Sequence, residues 1–325
     1  MANAALLDDL HRGNTTFRIE RAPAPTSDAE REAVLRSPVF GQTFTDHMVL
    51  VDWDRDRGWH SPRVTPLGPL EMHPATVVLH YGQEIFEGLK VYRHADGGLF
   101  AFRPEMNARR LQRSAERLAL PVVPESLFLD AIDELIRIDA DWVPSGHGQS
   151  LYLRPFVIAT ESFLGVRAAD RALLGVIASP AGSYFGAADE GISLWLSTEY
   201  SRAGAGGTGA AKCGGNYAAS LLAQREAQEH GCAQVLFTDA GTRTWVEEAG
   251  GMNIFFVFLD GTVVTPPASG TILEGVTRDS ILTLAPALGY RAEVRPVSID
   301  EWVERATSGE LTEVFASGTA AVITP

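Results

Sequence analysis

Between His47 and Phe102 the sequence strings β-rich runs together before any helical period appears, and that order constrains the fold more than any other feature. His47 to Trp53, Trp59 to Thr65 and Ala75 to His80 read as strands, and Leu89 to Arg93 with Leu99 to Phe102 flank Ala95-Asp96-Gly97-Gly98 as a hairpin. Two helices follow. Pro104 to Leu118 places Met106, Leu111, Ala115 and Leu118 at helical spacing, and Pro124 to Trp142 does the same with Leu127, Ile132, Leu135 and Ile138. Ser150 to Thr160 and Leu173 to Ser179 return to strand character. Strands first and helices after, without strict alternation, predict an α+β fold and exclude a doubly wound parallel sheet. The first forty or so positions mix Pro, Ala and charges without period and read as an irregular lead-in.

A chain of 325 residues is close to the ceiling for one core, so two domains are expected. The segment Pro180 to Glu190, PAGSYFGAADE, is small, turn-prone and aperiodic, which makes it the linker. The expected organisation is a small N-terminal domain over 1–179, an interdomain loop over 180–190 and a larger domain over 191–325. In the latter, strands are predicted at Ile192 to Ser197, Gln234 to Thr238, Met252 to Leu259 and Thr262 to Thr265. Helices are predicted from about Tyr217 to Glu229, Thr277 to Leu288 and Asp300 to Thr307.

Charge and apolar runs remove several functions. There are 27 basic against 41 acidic side chains, a net charge of −14, and no stretch clusters Lys and Arg into a stripe that would hold a phosphate backbone. The longest apolar runs, such as Asn253 to Leu259, fall far short of the roughly 20 residues that span a bilayer. Asp8, Asp9, His11 and Arg12 stand where a secretory signal needs an apolar stretch, so the cytoplasm is the expected location. Cys213 and Cys232 lack CxxC spacing and a His partner nearby, which points to reduced thiols and no metal.

The 27 basic residues are 25 Arg and two Lys, Lys90 and Lys212. Arg replaces Lys on a solvated surface but not where an amine must lose its proton and form an imine. Lys212 stands in a glycine-rich stretch, with Asn216 and Tyr217 opening a helix just beyond it. Small neighbours leave room for a planar ring, and partial burial beside other cations favours the neutral, nucleophilic amine. Gly204 to Gly209 formally satisfies GxGxxG, but Ala210 to Gly215 separate it from the helix and include two further glycines, so a dinucleotide site is disfavoured. The Walker pattern fails because Ala211 precedes the lysine and Cys213 follows it.

The run GTGAAKCGGNYAASLLAQREAQEHGCAQVLF, followed by WVEEAGGMNIFFV, resembles the branched-chain amino acid aminotransferases of the fold-type IV pyridoxal phosphate enzymes. FTDHMVLVDWDRDRGWH, VLHYGQEIFEGLKVYR, LYLRPFVIATE, LEGVTRDSILTLA and EVFASGTAAVITP extend the likeness over nearly the whole chain in family order. The resemblance implies a β-barrel-like C-terminal domain, pyridoxal 5'-phosphate as cofactor, and Lys212 as the Schiff-base lysine that also shuttles the α-proton. It implies Glu248 as the carboxylate at the pyridine nitrogen and Tyr217 at the phenolic oxygen. For the phosphate it implies Arg110, Val276, Thr277 and Thr319, the helix N-terminus being suited to an anion. Arg109 and Arg113 are close enough to Arg110 to be confused with it.

Tyr81, Phe86, Gly88, Tyr152 and Arg154 match side-chain pocket positions, and the Thr319 and Ala320 amides match the α-carboxylate site. The implied reaction moves an amino group between Leu, Ile or Val and 2-oxoglutarate, forming glutamate in a homodimer. Ala249 and Glu274 depart from the usual residues, and the chain stops at Pro325 where family members usually continue. Competing readings are a D-amino acid aminotransferase or aminodeoxychorismate lyase of the same fold, a cofactor-binding protein without turnover and, distantly, a nicotinamide-dependent dehydrogenase.

Overall fold

The computed structural model describes residues 5–6, 15–182 and 191–325, and it divides into two compact units, Met1–Tyr184 and Phe185–Pro325.

In the N-terminal unit the strands are β1 (Ala5–Leu6), β2 (Arg18–Ile19), β3 (His47–Asp54), β4 (Gly58–Pro66), β5 (Glu84–Phe86), β6 (Leu89–Arg93), β7 (Leu99–Ala101), β8 (Ser150–Ala159) and β9 (Arg171–Ala181). They form one sheet in the order β1-β7-β6-β8-β9-β3-β4-β2, with β5 also paired to β8. The long pair β8 and β9 runs antiparallel from Ser150 opposite Ala181 to Ala159 opposite Ala172, and its continuous apolar sequence is buried on both faces. Helices α3 (Pro104–Arg117) and α4 (Glu125–Ile138) bury Ala108, Leu111 and Ala115 and Leu127, Ala131, Ile132 and Leu135, the spacing read from sequence.

Three local expectations change. Ala75 to His80 forms no strand beyond the single bridge at Thr76; instead α2 (Val78–Tyr81) is a single helical turn, closed by Gly82 at φ +56°. The lead-in contains α1 (Asp28–Arg36), started by a capping box in which Ser27 and Glu30 bond each other's backbone amides. Pro180 and Ala181 belong to β9, while 183–190 of the expected linker lie outside the described residues.

The C-terminal unit begins with β10 (Leu194–Leu196), α5 (Gly214–Glu229) and β11 (Gln234–Thr238), a parallel pair joined through a helix. Strands β12 (Val246–Ala249), β13 (Met252–Phe258), β16 (Leu311–Gly318) and β17 (Val322–Thr324) are antiparallel to their neighbours, as is β14 (Thr262–Thr265) to β13. Helix α6 (Val276–Leu284) leads to β15 (Arg291–Val294), parallel to β14, and α7 (Ile299–Ser308) precedes β16. The sheet curls until the Ile192 amide donates to the Pro325 carbonyl at 3.0 Å. One face packs Leu236, Val246, Ile254, Phe256 and Val264 with Val297 into a core. Each such buried side chain contributes about 1.5–3 kcal/mol. On the other face α5 lays Ala223 and Ala227 on Val235 and Phe237.

Directly opposed residues share a face, so the pairs Phe237–Glu248, Glu248–Asn253 and Asn253–Ser317 form a row across four strands on the α5 side. Register slips within this row. Thr238 opposes Val246 and Phe237 opposes Glu248, which leaves Glu247 as an extra residue in β12. Such a bulge re-aims side chains, and here it lets two consecutive carboxylates both be buried.

Candidate active site

Lys212 is half-buried at the end of the glycine-rich loop, and its Nζ donates to Tyr217 Oη at 2.8 Å. Asn216 fixes that geometry. Buried in the first turn of α5, it donates from Nδ2 to the carbonyls of Thr208 and Ala211, both at 2.8 Å, and accepts from Thr208 Oγ1 at 2.7 Å. The loop between is thus tied to the helix that follows. Gly209 has no room for a side chain, because an added Cβ would lie 2.4 Å from the Thr271 carbonyl oxygen. Tyr217 lies against Gly251, where a Cβ would be 3.3 Å from its ring. The other lysine, Lys90, is buried in β6, and burial lowers its pKa to about 8.

Glu248 is 1% exposed. Its Oε1 accepts from Asn253 Nδ2 at 3.3 Å, and the same amide group donates to the Leu273 carbonyl at 2.9 Å. Its Oε2 comes within 2.5 Å of Arg202 Nε, but the N–H does not point at the oxygen, so neither atom has a hydrogen bond. Burial pushes the Glu248 carboxyl up to about 7, against the pull of Arg202, the Leu273 backbone N–H and Lys212 and with the push of Glu247. Glu247, whose Oε1 accepts from Thr271 Oγ1 at 2.5 Å, is also raised by burial. Neither is a solvated strand end.

Asn253 links Glu248 to the segment that opens α6. Its Oδ1 occupies the place of a side chain at Gly275, where a Cβ would lie 2.1 Å away. Val276 and Thr277 are the first helical residues after Gly275, and first-turn amides have no acceptor within their own helix. Thr319 and Ala320 fall in the loop between Gly318 and Val322, paired ends of β16 and β17, two residues past the buried, unpartnered Ser317 Oγ.

In the N-terminal unit Phe86, Gly88, Tyr152 and Arg154 come together. Arg154 stacks over Phe86 and Tyr152, its ζ carbon 4.7 and 5.3 Å from the ring centroids, and its Nη2 donates to Tyr152 Oη at 3.1 Å. A Cβ on Gly88 would be 1.9 Å from that hydroxyl oxygen, so any side chain there would push Tyr152 away. Phe40 packs edge-on against Tyr152 at 4.8 Å. Arg110 is buried and grips Glu87 with two hydrogen bonds of 2.7 and 2.8 Å, whereas Arg109 is exposed beside Glu125 and Arg113 is exposed. Tyr81 is not part of this group: it is 44% exposed and donates to the Leu164 carbonyl at 2.5 Å. Arg202, Asn253, Glu87 and Phe40 are not distinguished by the sequence, and Asn216 is marked there only as opening a helix. Three of the five stand in blocks that carry the resemblance, Asn216 in GGNY, Asn253 in GGMN and Glu87 in EGLK, where a polar residue among small or apolar ones is the available signal.

An amine bonded to a phenol on the α5 side of a curled sheet, with a buried carboxylate in electrostatic reach, is the arrangement of an amino-group transferase. The family described as amino-transferase class IV matches residues 84–325, and the chain belongs to it. The branched-chain-amino-acid aminotransferase of Mycolicibacterium smegmatis is 55% identical over 320 residues, 97% of this chain and 87% of that protein. Among solved structures, the Escherichia coli branched-chain amino acid aminotransferase superposes with a TM-score of 0.70 at 32% identity, covering 81% of this chain and 82% of that one. The branched-chain amino acid aminotransferase of Thermobaculum terrenum, in its PLP-bound holo-form, gives 0.68 at 25% identity, covering 85% of this chain and 84% of that one.

Proposed function

We propose that this chain transfers the amino group of L-leucine, L-isoleucine or L-valine to 2-oxoglutarate with pyridoxal 5'-phosphate, through covalent attachment at Lys212. The observation that carries the proposal is the 2.8 Å contact of Lys212 Nζ with Tyr217 Oη, with the buried Glu248 carboxylate in electrostatic reach. The residues fit the cofactor. Glu248 Oε2 and Ser317 Oγ are buried without hydrogen bonds, so a ring N–H has an acceptor waiting, and the α6 amides suit a phosphate. When bound, the cofactor supplies an aldehyde for the amino group and a protonated ring that withdraws electrons from the substrate α-carbon.

Lys212 Nζ then takes the α-proton from one carbon and returns it to another, a transfer that needs the amine neutral and held in place. Tyr217 Oη holds it by accepting its hydrogen bond. Glu248, ionised, keeps a proton on the ring nitrogen. Val276, Thr277 and Thr319 are assigned to the phosphate, with Arg110 as its further cation, fixed in orientation by Glu87. The Thr319 and Ala320 amides take the α-carboxylate. Phe86, Gly88 and Tyr152 offer an apolar wall to an aliphatic side chain, and Arg154 with the Tyr152 hydroxyl offers charge to the distal carboxylate of glutamate. A carboxylate gains from both groups what an aliphatic chain gains from the rings.

A homodimer in which this unit helps complete the neighbouring site belongs to the proposal; Leu79, Tyr81, Leu164 and Val166 are exposed apolar side chains available to a second copy, with Tyr81 bonded to the Leu164 carbonyl. Residence in the cytoplasm agrees with two unlinked cysteines. We also take 1–179 and 191–325 as the functional domains.

A visible spectrum before and after L-leucine, with borohydride trapping and peptide mapping, tests the central reading. A reduced adduct on Lys212 and a band shifted by L-leucine are expected. An adduct elsewhere, or a band moved by D-alanine and not by L-leucine, sinks it.

A further inference from the structure

Arg202 is one arginine among 25, and no motif distinguishes it in the sequence. It lies in the stretch after β10 that leads into the Lys212 loop, and it is 6% exposed. Its guanidinium makes three contacts. One terminal nitrogen, Nη2, donates to the Gly209 carbonyl at 3.1 Å and also to the Thr271 carbonyl. Its Nε stands 2.5 Å from Glu248 Oε2. One rigid cation therefore touches the loop carrying Lys212, the segment leading to α6 and the buried carboxylate.

Besides Arg202, the Asn253 amide gives this carboxylate one long hydrogen bond and the Leu273 backbone N–H favours its charged form, while its second oxygen has no hydrogen bond. Glu247, at the neighbouring bulge position, repels it; Lys212 from the loop and Arg278 from the first turn of α6 attract it. Arg278 spends its Nη2 on the Pro266 carbonyl at 2.9 Å. Arg202 is the cation in direct contact with Glu248. We propose that Arg202 is a positioning residue that keeps Glu248 anionic inside its dry pocket while pinning the backbone from which Lys212 projects. Its consequence for transamination rests on the reading of Glu248 as the partner of the ring nitrogen; its effect on Glu248 does not.

The reason for arginine is geometric. A lysine at 202 would carry the same charge but all its donors on one atom, whereas the guanidinium meets the two carbonyls with Nη2 and the carboxylate with Nε. Charge and fork are thus separable. Arg202→Lys keeps the first and loses the second, and Arg202→Gln loses the charge.

The test is a carbon-13 titration of the Glu248 side-chain carboxyl in cofactor-free protein labelled at glutamate, its signal identified by loss in Glu248→Gln. In Arg202→Gln the midpoint should rise by at least about one pH unit, the scale of an opposite charge at contact. In Arg202→Lys it should stay within about half a unit, while amide exchange at Thr208 to Lys212 speeds up in both variants. A folded Arg202→Gln whose midpoint does not move overturns the proposal. Should that variant not fold, the wild type decides: a Glu248 that stays neutral above about pH 8 is not held anionic by Arg202. The underlying reading of Glu248 has its own arm. If Glu248→Gln binds pyridoxal phosphate with an unchanged visible band, that reading fails while the titration still decides the effect of Arg202.

Discussion

Two buried arginine–glutamate pairs, one in each unit, are built in opposite ways. In the N-terminal unit Glu87 accepts from Arg110 Nε and Nη2, from Asn107 Nδ2 at 2.8 Å and from its neighbour's amide, Gly88 N–H, at 3.1 Å. Every strong site on that carboxylate faces a donor. In the C-terminal unit Glu248 has one long hydrogen bond and an ion contact without direction. The first carboxylate is fully hydrogen-bonded and holds Arg110 in one orientation, whereas the second keeps an oxygen that has an ion contact but no hydrogen bond. The proposed chemistry of the second unit thus calls on a carboxylate whose second oxygen has no hydrogen bond, within electrostatic reach of an amine held by Tyr217.

Removing the amine has the largest expected effect. Lys212→Ala should lower turnover of L-leucine with 2-oxoglutarate by about a thousandfold or more, measured as glutamate formed. A variant retaining wild-type turnover would move the chemistry out of the C-terminal unit altogether.

The contrast between the pairs is next. Glu87→Ala strands the Arg110 charge in a dry site and should cost about 3–5 kcal/mol in urea unfolding, whereas Glu248→Gln should change stability by about 1 kcal/mol or less near neutral pH. Equal losses would show that the two carboxylates are held alike. Asn216→Ala removes three hydrogen bonds, one buried and two part-buried, and should cost about 2–3 kcal/mol, together with faster loss of cofactor from the loop it tethers. Gly88→Ala pushes a methyl group onto the Tyr152 hydroxyl and should cost about 1–3 kcal/mol. It should raise the KM for glutamate without changing the visible spectrum of the bound cofactor, because it disturbs the substrate side alone.

The smallest effect is a slope. The folded Glu248 carboxyl titrates near 7, above its unfolded value of 4.5, so the native state holds the extra proton in that window. Its contribution to stability is complete below 4.5 and is lost as pH rises through about 7. Thermal unfolding of cofactor-free protein should show this decline, and Glu248→Gln should flatten it.

Much of the frame was legible. The helices from Pro104 and Pro124 and the strands at Leu89, Gln234 and Thr262 follow from period and turn residues alone. Helix α1 was legible too, since Ser27 and Glu30 spell a capping box, but the surrounding prolines and charges masked it. The turn at Val78 was not, because a short apolar run reads equally well as strand until Gly82 is seen to take a left-handed conformation. Within the site, the scarcity of lysine made Lys212 visible. Three nearby arginines in one helix looked alike, and burial separates Arg110 from the other two.

By itself the sequence determined what depends on residue type and local spacing: an α+β chain, most of its elements, and an amine set among glycines. Tertiary structure alone decided what depends on register and enclosure. An extra residue in β12 brings both Glu247 and Glu248 under cover, and an arginine far from either in sequence lies against Glu248. Whether a charge is solvated or buried is a property of the neighbours that the folded chain gathers around it, and those come from distant parts of the sequence.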